Sequence, residues 1–206
     1  MRRGAIALSC GVLALAGCGS SGPTTSPAME SGQAAVSDVF RVSQAEVGED
    51  VGLVLTGLGR PTGEPPAGLA SVTTARLVLN RLIEGYAQGA GLEPTQAEVE
   101  AGLEALVSQN GGRDALNSLA LQSGIPPEAI EDTVRSNLLV EQIGRQLNAA
   151  GDSAAQIDAA RVALTGYSAE VDVEVAPRYG TWDDATLTIV PGSPVAGPQA
   201  SEQATQ

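Results

Sequence analysis

Residues 71–110, SVTTARLVLNRLIEGYAQGAGLEPTQAEVEAGLEALVSQN, decide the fold class. From Ser71 to Gln88, Val72, Ala75, Leu79, Leu82, Ile83 and Tyr86 recur at helical spacing, with Arg76, Asn80, Arg81 and Glu84 toward the opposite side. Gly89 and Gly91 stop that helix. Thr95 then offers a hydroxyl to the free N–H groups of a new helix, and Glu98, three residues on, can return a bond to the Thr95 backbone. Val99, Leu103, Leu106 and Val107 make the apolar face of this second helix, and Asn110-Gly111-Gly112 ends it. Two amphipathic helices in succession predict a mainly α chain.

The pattern continues in both directions. A shorter helix is expected over 113–123, with Ala115, Leu116, Leu119 and Ala120 as its buried side. Gly124-Ile125-Pro126-Pro127 breaks it, and proline suits the first turn of the next helix. That helix, Pro127 to Asn148, reads as the longest. Ile130, Val134, Leu138, Ile143 and Leu147 form a stripe that Leu139 and Val140 widen, enough to pack against two neighbours. A last helix over 153–164 carries Ile157, Ala160, Val162 and Leu164. Toward the N-terminus, Ser43 and Glu46 repeat the capping box, opening a helix with Val47, Val51, Val54 and Leu58 that ends near Gly57.

The period changes only at the two ends. In residues 34–42, AAVSDVFRV, Val36, Phe40 and Val42 share one parity, which predicts a short strand. In residues 170–176, Val171, Val173 and Val175 alternate with Asp172, Glu174 and Ala176, a half-exposed strand. Pro177-Arg178-Tyr179-Gly180 ends it and Trp182 follows. Neither strand is stable alone. If they pair, they close the helical domain by joining its ends.

Composition limits the chemistry. The 206 residues hold 11 Arg, no Lys and no His against 24 Asp plus Glu, a formal net charge of −13. Such a chain is repelled by nucleic-acid backbones and gains nothing from anionic headgroups. Without His there is no His-based triad, metal ligand or proton shuttle. No phosphate-cradling glycine loop, no Ser/His or Cys/His pair and no metal-ligand spacing is found, so neither catalytic residues nor cofactor nor metal are expected. Glu100 and Glu104 lie four apart on one helix face beside Glu98, and read as a solvated acidic surface. Arg178, Tyr179 and Trp182 gather two of the chain's five aromatics into four residues. They could line a groove for unfolded segments, or fold back to seal the late strand with Arg178 paired to a carboxylate, and the second role is preferred. Phe40 reads as a core anchor.

The N-terminus reads as an export signal. Met1-Arg2-Arg3 precedes the apolar run Gly4 to Leu15, and the uncharged stretch Gly4 to Gly17 would span about 21 Å as a helix, short of the roughly 30 Å hydrocarbon layer. This predicts a processed signal over residues 1–17 rather than a membrane span. Leu15-Ala16-Gly17-Cys18 resembles the bacterial lipobox, whose cysteine thiol takes the diacylglyceryl group. Acyl chains contribute about 0.8 kcal/mol per buried CH₂, so two or more anchor stably. With Cys10 inside the removed signal, Cys18 is the one cysteine left, and no internal disulfide can form. Residues 18–33 read as a flexible membrane tether, residues 34–185 as the folded domain and residues 186–206 as a disordered tail.

Taken in order, the lipobox, AAVSDVFRVSQAEV, VTTARLVLNRLIEGYAQGAGLEPTQAEVEAG, GIPPEAIEDTVRSNLLVEQI and VDVEVAPRYGTWD resemble actinobacterial lipoproteins related to the N-terminal chaperone domain of SurA-type and PrsA-type foldases. The resemblance spans roughly residues 34 to 183. It implies a helical domain in which the early and late strands meet and which cradles unfolded exported chains. The family's N-P-R-Y-G element stands here as Ala176-Pro177-Arg178-Tyr179-Gly180, departing at its first residue. Full foldases carry a parvulin-type isomerase domain before the final helix. Here only 21 residues lie between Asn148 and Glu170, too few for such a domain. The expected function is therefore that of a lipid-anchored extracytoplasmic chaperone without catalysis, with Phe40, Tyr86, Arg178, Tyr179 and Trp182 as strand-closing or client-contacting residues. The alternatives are a scaffold that holds one envelope protein and, last, a prolyl isomerase. Client identity and oligomeric state are open at this point.

Overall fold

Pairing of the chain's two ends organises the molecule. The computed structural model describes residues 29–191. The expected signal, the Cys18 lipidation site, the first part of the tether and the last part of the tail lie outside the described residues. Strand β1 (Gln33–Val36) is the middle of a three-stranded antiparallel sheet, between β2 (Arg41–Ser43) and β3 (Glu174–Val175). Ala35 faces Val175 and Val36 faces Glu174, so the early and late segments do meet. The Ala176 N–H donates to the Ala34 carbonyl, and the Asp38 N–H donates to the Val171 carbonyl.

Both strands are shorter than expected. Residues 34–42 form a hairpin rather than one strand. The buried Ser37 hydroxyl accepts from the N–H groups of Val39 and Phe40 at 3.2 and 3.1 Å, which turns the chain there. The late strand contracts to two residues because the helix before it runs on to Glu170 and Asp172 then adopts a left-handed φ of 51°.

Six helices fill the interval. They are α1 (Gln44–Gly57), α2 (Leu69–Gly89), α3 (Gln96–Gln109), α4 (Arg113–Gln122), α5 (Ile130–Leu147) and α6 (Ser153–Glu170), with a 3-10 turn at Pro127–Ala129. The starts are explained locally. Ser43 and Glu46 form the capping box of α1, Thr95 and Glu98 that of α3, and the Asp152 carboxylate accepts from the Ala155 N–H at α6. The longest helix is α2, at 21 residues, not the helix after Pro127.

Orientation is where periodicity misleads. Helix α2 touches α1, α5, α6 and three strands, so its buried arc is broader than an apolar stripe. It buries Thr73 and Thr74 along with Val78, Leu82, Ile83 and Ala87, while Val72 is 55% exposed. The Thr74 hydroxyl donates to the Ala70 carbonyl at 2.8 Å, which removes the cost of burying it. Ala115, Leu119, Leu147, Ile157 and Val162, all expected inside, are exposed. Helix α5 packs against α6, α2 and α3, three neighbours rather than two. Its approach to α6 is close enough that a Cβ on Gly144 would strike the Gln156 backbone.

Three apolar clusters result. The largest joins Ala34, Ala35 and Val42 to Val47 and Val54 of α1 and to Val78 and Leu82 of α2. A second places Ile83 and Ala87 against Leu139 and Ile143 of α5 and Ala160 and Leu164 of α6. The third, around Leu116, Ala120 and Ile130, holds α4 to the start of α5 with half-buried α3 residues beside it. Beyond the expected boundary at residue 185, the chain forms a hairpin of β4 (Thr181–Asp183) and β5 (Thr188–Val190), with Trp182 opposite Ile189. Residues 186–190 therefore belong to the folded region. The Asp183 carboxylate accepts from the Ala185 N–H and the Thr186 hydroxyl, making the turn. Gly180, at φ 121°, lies so close to the Val190 carbonyl that any Cβ would collide with it. No described helix is long and apolar enough to cross a membrane.

Candidate binding trough

The residues singled out from sequence do not assemble into one site. Tyr179 and Trp182 are 7% and 8% exposed and belong to the largest cluster, so neither ring is presented to solvent. The Trp182 indole N–H donates to the Ser168 hydroxyl at 2.8 Å and to the Asp184 carboxylate at 3.1 Å, and Ser168 donates in turn to Asp184. This network ties the C-terminal hairpin to α6. The Arg178 guanidinium stacks 4.7 Å above the Tyr179 ring and donates to the Tyr179 hydroxyl at 2.6 Å. Phe40 packs half-buried on the largest cluster. Tyr86 lies apart on the second cluster, edge-to-face with Tyr167 at 5.7 Å between centroids. The carboxylates of Glu100 and Glu104 border a shallow hollow on α3 with Leu103, Val107 and Arg113, and Glu100 accepts from the Gln96 side chain at 3.2 Å.

Two adjoining hollows run along α2 where it faces α1 and α5. One hollow of about 420 Å³ is walled by Glu46, Glu49, Asp50 and Leu53 of α1, by Arg76, Leu77, Asn80, Arg81 and Glu84 of α2, and by Glu128, Ala129 and Asp132 at the start of α5. A second, of about 460 Å³, is lined by Glu84, Ala87 and Gln88 of α2, by Leu92, Glu93 and Pro94 of the next loop, and by Arg135 and Leu139 of α5. Glu84 lines both, so the two hollows adjoin along α2, and together they make up the trough. The spacing explains its course along α2. Arg76, Asn80, Glu84 and Gln88 recur every four residues on α2, and Glu128, Asp132, Arg135 and Leu139 follow at four, three and four. From Arg76 to Gln88 the trough runs about 18 Å, room for five or six residues of extended chain. The Ser136 hydroxyl donates to the Asn80 amide oxygen at 3.1 Å, joining the two helices.

Its electrostatics are one-sided. Seven carboxylates and three guanidinium groups line the two hollows. Arg76 pairs with Asp50, Arg81 with Glu46 and Glu84 at 3.3 and 3.2 Å, and Arg135 with Glu131 at 3.8 Å. Glu49, Glu93, Glu128 and Asp132 have no cationic partner among the described residues. Partial burial works to raise the pKa of Glu46, but the Ser43 N–H, the Ser43 hydroxyl and Arg81 outweigh it and hold the group below its ordinary 4.5. With seven carboxylates against three guanidinium groups, the lining is net negative in formal charge. No three of the described His, Cys, Asp or Glu residues converge closely enough to hold a metal ion.

Sequence reading missed this site because it placed Arg76, Asn80, Arg81 and Glu84 on the outward side of α2. The available signal was the pairing of that polar row with a second one, Glu128, Asp132 and Arg135, at the same spacing on another helix. Compared with protein-family models, with curated proteins and with solved structures, the chain matches none.

Proposed function

We propose that this protein is a lipid-anchored, extracytoplasmic chaperone-like protein that holds unfolded segments of exported chains along the α2–α5 trough, without catalysis. The observation that carries the reading is the trough itself, an elongated pair of hollows with both apolar and polar walls, long enough along α2 for five or six residues of extended chain. A site for one rigid small ligand is concave on all sides, whereas a long open channel suits a chain that passes through it. The lipobox at Leu15 to Cys18 and the ordered resemblance to SurA-type chaperone domains support the same reading, as does the joining of early and late strands. Binding would be reversible and would use neither nucleotide nor metal.

A full-length Cys18→Ser chain tests both halves of the proposal. It is expected to leave the membrane fraction while melting as the parent does. Purified, it should slow aggregation of several unrelated unfolded proteins at similar molar ratios. Retention in the membrane would remove the anchor at Cys18. No suppression, together with retrieval of a single envelope protein, would replace the chaperone reading with that of a scaffold.

A further inference from the structure

The charge of the trough specifies its occupant further. We propose that the α2–α5 trough selects polypeptide segments in which Arg or Lys flanks small aliphatic residues, and this inference rests on the chaperone-like reading above. Three observations converge. The trough has the length of five or six extended residues, as derived above. Its apolar lining is small, with Ala87, Ala129, Leu53, Leu77, Leu92 and Leu139 and no aromatic side chain, so it suits Val, Leu and Ala better than Trp or Phe. Surplus carboxylates stand beside that lining in both hollows, with Glu49, Glu128 and Asp132 in the first and Glu93 in the second.

The magnitudes fit recognition by several weak contacts rather than one strong one. Glu49, Glu93, Glu128 and Asp132 are all exposed, so each alone is screened and contributes little. Together they raise the local concentration of a cation and penalise an acidic segment. A metal ion is a poor occupant because the carboxylates are spread along the trough rather than convergent. A second copy of this chain is equally poor, since its own net charge is −13. An unfolded basic segment satisfies both the charge and the length.

The test uses the full-length Cys18→Ser chain and three labelled seven-residue peptides, in which Lys and Arg, Glu, or Ser flank the same Val and Leu residues. Anisotropy titrations at low salt should rank the basic peptide first, with binding weakening by about tenfold at 0.5 M salt. Replacing Glu49→Gln, Glu128→Gln and Asp132→Asn together leaves no arginine without its partner, so melting should not change. Binding of the basic peptide should fall by about tenfold. Equal binding of the basic and Ser peptides, or unaltered binding by the triple variant, overturns the charge selection. If the triple variant still suppresses aggregation, the chaperone reading survives that loss. If no peptide binds the folded chain, both proposals fall. Displacement of the basic peptide by free spermine, with Val and Leu contributing nothing, would assign the trough to polyamines instead.

Discussion

The closed end of the molecule and the α3–α4 arm bury their apolar residues in different ways. At the closed end, Ala34, Ala35, Val36 and Val42 are at most 1% exposed, held between α1, α2 and strands drawn from both ends of the chain. On the arm, Val99 is the fully buried residue of α3, Leu103, Leu106 and Val107 are half-covered, and Leu119 of α4 is 50% exposed. The arm's contacts are mostly local, to α5 and to its own partner helix. The closed end instead depends on residues more than 130 positions apart. Stability should therefore be uneven, with the arm opening at lower cost than the closed end.

The largest expected effect comes from removing what closes the domain. Ending the chain at Ala169 deletes β3 and the β4–β5 hairpin, uncovers Ala35 and Val36, and should abolish cooperative melting. A truncated chain that melts as the parent does would break the comparison at its root.

Single substitutions should sharpen it. Trp182→Ala removes a buried indole and deprives Ser168 and Asp184 of its N–H, so a loss of about 3–5 kcal/mol is expected. Leu106→Ala removes a half-covered side chain from the arm and should cost less than about 2 kcal/mol. Chemical denaturation of both variants decides the matter. Equal losses would mean that the arm is as tightly integrated as the closed end.

Legibility in the sequence divides along the same line between local and distant causes. The helices and the two capping boxes could be read directly, because a Ser or Thr with a Glu three residues on acts within one turn. The meeting of the ends followed only by inference from two lone strand segments that need a partner. The face that α2 buries could not be read. Thr73 and Thr74 are inside only because α2 is surrounded by other elements, and no periodicity within residues 71–88 encodes that. The C-terminal hairpin was missed for a related reason. Thr188, Ile189 and Val190 are a weak strand alone and become one by pairing with Thr181, Trp182 and Asp183. The trough was hidden most deeply, since it is formed by two polar rows that sit some 50 residues apart and that only tertiary packing brings together.

The smallest effect compares one device placed in both regions. Ser43–Glu46 at the closed end and Thr95–Glu98 on the arm are the same capping box, with the N-cap N–H donating to the glutamate at 2.7 Å in each. The Thr95 N–H and hydroxyl hold Glu98 below its ordinary 4.5, as Ser43 and Arg81 do for Glu46 against its partial burial. A carboxyl whose folded pKa is depressed adds stability above the unfolded value and loses it as pH falls through the folded one. Both glutamates should thus weaken the fold as the solution is acidified below pH 4.5, but not equally in a global measurement. Glu46 caps a helix whose Val47, Val51 and Val54 are locked into the largest cluster, so its protonation is felt by the whole domain. Glu98 is fully exposed and caps a helix that should open locally first. Glu46→Gln should flatten the acid-side fall in the urea midpoint, whereas Glu98→Gln should alter amide exchange in α3 and leave the midpoint nearly unchanged. If Glu98→Gln flattens the global curve as much as Glu46→Gln does, the arm unfolds together with the closed end and the molecule is a single cooperative unit.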